Sequence, residues 1–133
     1  MTYSQILDLA IALRDQLAGG LSSTDTTLVT LEPTEVAPQL AAGGSAILIL
    51  PPSREWQNQL LVSLKWELIV VSSQTVDMVE AWEQLDALET YIRKTEPLPE
   101  TRPVTWDAGN RSYPALSMTF TNACNIQTLE RKE

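Results

Sequence analysis

The spacing of apolar residues changes several times along the chain, and the first spacing predicts an α-helix. Five apolar residues near the N terminus recur at three- and four-residue intervals: Ile6, Leu9, Ala10, Leu13 and Leu17. This is the period of one face of a helix. Thr2 or Ser4 can cap its start, and the glycine pair at 19–20 marks its end, because glycine readily adopts the backbone that terminates helices.

Three apolar runs after this helix predict β-strands. Residues 27–31 predict a short strand, and residues 46–50 predict a compact apolar strand that ends at a pair of prolines. Residues 60–71 alternate along their whole length. Twelve extended residues reach about 40 Å, whereas an ordinary strand has about five or six residues. Residues 32–45 contain two prolines and a glycine pair, and they predict a loop with one turn of helix.

The long strand has two different faces. One face is apolar and carries Val62, Leu64, Trp66, Leu68 and Val70. The other face is mixed, with polar Ser63, Lys65 and Glu67 flanked by apolar Leu61, Ile69 and Val71. The apolar face is expected to pack against helices. Residues 53–58, which include Trp56, predict a polar tip between this strand and the one before it.

A second helix is predicted to begin near Thr75. Its apolar residues fall at helical spacing: Met78, Ala81, Trp82, Leu85, Leu88 and Ile92. Four carboxylates occupy the other side: Asp77, Glu80, Glu83 and Asp86. We therefore expect this helix to pack on the apolar face of the long strand, with Trp82 in the core, where Trp82→Ala would cost about 3–5 kcal/mol.

The remaining pattern completes one domain. Residues 96–103 predict a stiff, proline-rich connection, after which residues 104–106 and 113–120 predict a closing strand pair around a turn at 107–110. The fold class is therefore α+β: a mainly antiparallel sheet with two principal helices on one face and a long central strand or hairpin. Residues 1–122 are expected to form this single domain, and residues 123–133 a polar C-terminal tail.

Charge and composition narrow the possible functions. The net charge is −8 and the nine Lys and Arg residues are scattered. This argues against a nucleic-acid-binding protein, since such binding requires clustered cations. The one cysteine, Cys124, excludes an internal disulfide framework and favours a reducing compartment. No signal peptide is recognisable, and no apolar run approaches the ~20 residues of a transmembrane helix.

The sequence contains little that predicts catalysis. The chain has no histidine, which removes the commonest general base and metal ligand. Cys124 has no cationic cluster beside it in sequence, and the two glycine pairs match no phosphate-binding loop. Asp77 with Glu80, and Glu83 with Asp86, could share a proton or a cation, although a solvated helix face is the stronger interpretation. We therefore expect no enzyme activity, catalytic residues, metal site or cofactor.

Taken together, these features resemble the tail terminator (tail completion) proteins of long-tailed bacteriophages. The resemblance covers residues 2–122. It lies in the order of the elements and in their patterns of apolar and polar residues. It begins with the helix "TYSQILDLAIALRDQLAGG", the strand "AILILPP", the tip "SREWQNQ" and the long strand "LLVSLKWELIVVSS". It continues with the helix "DMVEAWEQLDALETYIRK" and the final strand "YPALSMTFTN".

The resemblance implies a structural virion protein. Such proteins form a ring, usually a hexamer, on the last ring of the tail tube, where they stop polymerisation and join the tail to the head connector. The expected partners are further copies of the chain, the tail tube protein and a head completion protein. The expected location is the head–tail junction of the virion, reached from the host cytoplasm during assembly, with no membrane involved.

Two groups of residues are then expected to meet partners. Arg54, Glu55 and Trp56 at the tip would contact the tube or the connector. Ser63, Lys65 and Glu67 would face a neighbouring subunit or the channel of the ring, through which DNA passes without specific binding. Other interpretations remain: a solvated outer sheet face, another head–tail junction or minor tail protein, and a small cytosolic binding module that dimerises through its sheet.

Overall fold

A computed structural model describes residues 5–21, 27–58, 61–73, 77–95, 100–108 and 111–125. These residues form, in chain order, α1 (Gln5–Gly19), β1 (Leu28–Thr30), a 3-10 turn (Pro33–Glu35), α2 (Val36–Ala41), β2 (Ala46–Ile49), β3 (Ser53–Trp56), β4 (Leu61–Val71), α3 (Met78–Thr95), β5 (Glu100–Ala108) and β6 (Arg111–Asn125). The predicted caps at Thr2 and Ser4 lie outside the described residues.

All six strands belong to one sheet. The strand order is β1-β2-β4-β6-β5, and β3 pairs with the other half of the β4 edge that β2 occupies. Only the β1–β2 pair is parallel among the described strands. The predicted α+β class, with a mainly antiparallel sheet and a long central strand, is confirmed.

The main core lies between one face of the sheet and two helices. The predicted apolar face of β4 is buried, from Val62 through Trp66 to Val70, and packs with residues of α1 and α3. Met118 and Phe120 extend this core on β6. The period-2 pattern of β4 therefore assigned its inner face correctly, because successive side chains point to opposite faces of a strand. We call this the helix face of the sheet.

The opposite face is only half open, which corrects the prediction for residues 32–45. Instead of a loop with one turn, this segment contains α2, whose Val36 and Leu40 are buried. They form a second core with Ile69 and Val71 of β4, and Tyr113 joins it from β6. Ile69 and Val71 therefore do not flank an open polar surface; α2 covers them because their apolar side chains would otherwise face water.

The interior stripe of α3 is narrower than predicted. Ala81, Leu85, Leu88 and Ile92 are buried, at spacings of four, three and four residues. Trp82, by contrast, is 64% exposed, so its prediction as a core residue was wrong. At 100° per residue Trp82 lies about 90° around the helix from the centre of the stripe. The helix begins at Met78 rather than near Thr75.

The β2–β3 edge contains a β-bulge at residues 51–52. Leu50 donates its backbone N–H to the carbonyl of Glu67 at 3.0 Å, whereas Ser53 lies opposite Lys65. The two prolines therefore face a single residue of β4, which is the two-against-one arrangement of a bulge. A one-residue insertion moves every later side chain to the other face of the sheet. Residues 53–56 of the predicted tip thus form the strand β3. Their side chains lie on the opposite faces from those that an uninterrupted alternation from β2 would give.

The last two strands extend beyond their predicted bounds. The proline-rich connection already pairs with β6 from Glu100 onward, and β6 continues to Asn125, three residues into the predicted tail. Ser72 donates its N–H to the carbonyl of Pro114 at 3.0 Å. The backbone N–H and C=O groups of alternate residues point to the same side of a strand, so those of Leu116 also point to β4. Pro103 lies opposite Leu116 on β5, and its nitrogen therefore points away from β6. The missing donor of Pro103 thus lies on the outer edge of the sheet, where proline is tolerated.

Candidate interaction surfaces

The polar half-face is the part of the sheet that α2 leaves uncovered. Residues that lie opposite one another in an antiparallel pair share a face, so the register defines its members. They are Ser53 and Glu55 of β3, Ser63, Lys65 and Glu67 of β4, Glu100 and Arg102 of β5, and Ser117, Thr119 and Thr121 of β6. The three predicted residues of β4 therefore lie together on one surface, as their alternation indicates.

A partly buried hydrogen bond lies at the boundary between the two halves of this face. Ser117 is 1% exposed, and its hydroxyl donates to Oε2 of Glu67 at 2.5 Å. This bond joins β6 to the neighbouring β4 and fixes the direction of the Glu67 carboxylate. A carboxylate that accepts such a bond beside an apolar cluster avoids the cost of an unsatisfied buried group.

The charges of the polar half-face are mixed. A shallow depression of about 90 Å³ is lined by Lys65, Glu100, Arg102, Ser117 and Thr119. The two cations in this depression are Lys65 and Arg102, and Glu100 lies with them. Glu67 follows Lys65 on the same face of β4. Alternating signs at this spacing create no strong field of one sign. The surface is suited to a hydrated contact rather than to firm binding of a polyanion.

The bulge determines which residues of the predicted tip lie on which face of the sheet. Glu55 lies opposite Ser63 and belongs to the polar half-face. Arg54 lies opposite Leu64 and Trp56 opposite Val62, so both belong to the helix face. All three tip residues are exposed, and Trp56 is 49% exposed although Val62 opposite it is buried. The six predicted interface residues therefore occupy two surfaces. Sequence alternation could not show which tip residue joins the polar half-face, because it does not reveal the bulge.

An exposed apolar patch lies on α3, and the sequence pattern did not predict it. It consists of Met78, Val79 and Trp82, which we call the α3 patch. Residues three and four apart on a helix are neighbours, so the three side chains are adjacent. The signal in the sequence was an apolar arc wider than the stripe a surface helix buries. The apolar spacing alone placed Met78 and Trp82 in the core with the rest of that arc.

The carboxylates of α3 have structural roles or point to solvent. Asp77 caps the helix, and its Oδ1 accepts the backbone N–H of Glu80 at 3.1 Å. Glu83 and Asp86 are exposed beside the α3 patch. Within the described residues, no group of three His, Cys, Asp or Glu side chains is placed to hold a metal ion. The side chain of Cys124 lies outside the described part of the chain.

Comparison with models of known protein families and with curated proteins finds no match to this chain. Among the described helices, none is long and apolar enough to cross a membrane.

Proposed function

We propose that this protein is a structural subunit of a long-tailed bacteriophage virion, a tail terminator. It forms a ring, most simply of six copies, on the end of the tail tube, where it stops polymerisation and joins the tail to the head connector. It acts by contact and carries out no catalysis. Another protein of the head–tail junction would share this fold and differ in its partners.

The observation that carries the proposal is the combination of element order and uncovered surface. The order helix, strand, strand, long strand, helix, strand, strand follows the resemblance noted in the sequence, with α2 and β3 added. In addition, the sheet leaves the polar half-face open beside the β3–β4 hairpin, which carries exposed Trp56. An exposed tryptophan on a hairpin is a typical anchor for a protein partner.

The polar half-face suits a surface that lines a channel. Its mixed charges and hydroxyls include Lys65 and Arg102 alongside Glu55, Glu67 and Glu100. With a net charge of −8 for the chain, DNA would be repelled weakly at long range and held by no cluster of cations at short range. Such a channel lets DNA pass without binding it.

The dimeric binding module is less well supported. A dimer formed through the sheet would pair two edge strands, and β5 ends the sheet order on one side. The nitrogen of Pro103 points to that edge and has no hydrogen to donate. A strand of a second copy that paired with β5 would therefore lack one backbone hydrogen bond. Contacts through the faces and the hairpin, rather than through this edge, fit the observed surfaces better.

Electron microscopy of phage particles that lack this protein tests the proposal. We expect tails longer than normal, or tails unattached to heads, because tube polymerisation would have no stop and the connector no docking surface. Supplying the wild-type chain in trans should restore tail length and attachment. Normal virions in its absence would contradict the proposal.

A further inference from the structure

The α3 patch combines apolar side chains with an acidic border. Met78, Val79 and Trp82 are 55%, 66% and 64% exposed. Val79 is one turn from Glu83, and Trp82 is one turn from Asp86, so two carboxylates border the patch. A protein that works alone rarely exposes adjacent large apolar side chains of this kind. The patch is therefore shaped for an apolar partner surface with a cationic border.

The same chain has a largely apolar groove whose charged lining residues are one cation and one carboxylate. It lies between the first half of α1 and the bulge, has a volume of about 240 Å³, and its floor includes Ile6, Leu7, Ala10 and Leu50. Arg54 and Glu32 are its charged lining residues. Small-molecule sites usually have about 300–1,000 Å³, so this smaller groove favours a protein side chain as its occupant. We call it the α1 groove.

The patch and the groove of one molecule are far apart. Ser72 donates its hydroxyl to Gln84 at 2.5 Å, which places the first turns of α3 beside the end of β4. Along β4 the groove extends from Arg54, opposite Leu64, to Ile49, opposite Leu68. These positions are eight and four residues before Ser72, or about 26 and 13 Å in an extended strand. No residue of the α3 patch lines the α1 groove. The patch can therefore reach only the groove of another copy.

We propose that the α3 patch of one copy docks into the α1 groove of the next, in a head-to-tail contact. Trp82 and Val79 enter the groove, and Glu83 and Asp86 face Arg54 of the receiving copy. Each copy then has one patch and one groove engaged, which closes a ring when the rotation between copies fits. The inference rests on the proposed ring for its biological setting and names the surfaces that join its subunits.

Sedimentation velocity of the purified chain, at concentrations up to about 1 mM, tests the contact. Wild-type protein should self-associate. Trp82→Ala and Leu7→Glu should each weaken the association constant about 30-fold or more, because a buried tryptophan anchor is typical of interface hot spots. Thr90→Ala, an exposed change on the same helix, should leave association unchanged. Urea midpoints near that of the wild type establish that each variant is folded.

Arg54→Glu provides a second groove variant in case Leu7→Glu disturbs α1. It should weaken association, whereas Lys94→Glu, which makes the same charge change at the other end of α3, should not. Wild-type protein that stays monomeric throughout, or that associates as strongly with Trp82→Ala, would overturn the contact.

Mixing two defective variants tests its head-to-tail geometry. Trp82→Ala retains an intact groove and Leu7→Glu an intact patch, so an equimolar mixture should form heterodimers and grow no further. A mixture that remains monomeric while the wild type associates would exclude this pairing of surfaces. The result is independent of the phage experiment: normal virions without the protein would contradict the proposed function alone, and failure of the mixture would contradict this contact alone.

Discussion

Gly20 has a role that its place in a glycine pair did not reveal. The helix ends at Gly19, and the next residue lies against the ring of Tyr91 from α3. The Tyr91 hydroxyl donates to the carbonyl of Leu17, so it satisfies one of the last acceptors of α1. A Cβ at position 20 would collide with this ring. Gly20 thus allows the contact that joins the two main helices.

Gly20→Ala should lower the free energy of unfolding by about 1–3 kcal/mol, because the Tyr91 ring must move and its hydrogen bond is disturbed. Gly19→Ala is a matched control, since a Cβ at position 19 would have no neighbouring atom within 4 Å. It should change stability by no more than about 1 kcal/mol. Urea unfolding measures both, and equal effects would show that the contact with Tyr91 contributes nothing.

The helix α3 has two parts with different environments. Its stripe of Ala81, Leu85, Leu88 and Ile92 packs on the sheet, and its first turns present the α3 patch to solvent. The order of apolar residues alone does not distinguish these parts, because Trp82 and Leu85 both satisfy helical spacing. What separates them is the width of the surface that the sheet can cover.

Truncating the two residues should therefore have different consequences for stability. Leu85→Ala should cost about 2–5 kcal/mol, because it leaves a cavity in the core. Trp82→Ala should stay within about 0.5 kcal/mol of the wild type, because its side chain is mostly in water. Urea unfolding of both purified variants decides this. A loss of several kcal/mol for Trp82→Ala would restore its prediction as a core residue.

At the scale of the whole molecule, the uncovered surfaces are distributed around one sheet. The polar half-face lies on one side of the sheet. Trp56, the α1 groove and the α3 patch lie on the side of the helix face. The proposals assign them different partners: the channel for the polar half-face, neighbouring copies for the patch and groove, and the tube or connector for Trp56. Trp56 lies two residues from the groove residue Arg54 on the same face of β3, but it does not line the groove, so a substitution at Trp56 can test the tube contact by itself.

Trp56→Ala should therefore weaken binding to isolated tail tubes and leave the fold intact. Loss of a tryptophan anchor is expected to cost about 2 kcal/mol or more, or ~30-fold in Kd. Thr105→Ala, exposed on the distant strand β5, is the control and should bind as the wild type does. Pull-down with tail tubes is the measurement. Undiminished binding by folded Trp56→Ala would remove Trp56 from the tube contact.

Local patterns of apolar and polar residues were enough to predict most of the helices and strands and the inner face of the sheet. A run such as residues 60–71 carries its period in its own side chains, and that period specifies both the strand and the face that avoids water. The order of such elements along the chain indicated the fold class. Local spacing also predicted the helical period that Ala81, Leu85, Leu88 and Ile92 share and the grouping of Ser63, Lys65 and Glu67 on one surface. These features depend on neighbours within a few residues along the chain.

Which apolar residues are covered depends on how the helices and strands pack against one another. Ile69 and Val71 became core because α2 lies on them, and Trp82 stayed exposed because the sheet does not extend beneath it. The bulge at residues 51–52 moved Arg54 and Trp56 to the helix face through the pairing of β3 with β4. Each outcome depends on contacts between segments distant in sequence, and burial is a property of the assembled surface rather than of any local pattern.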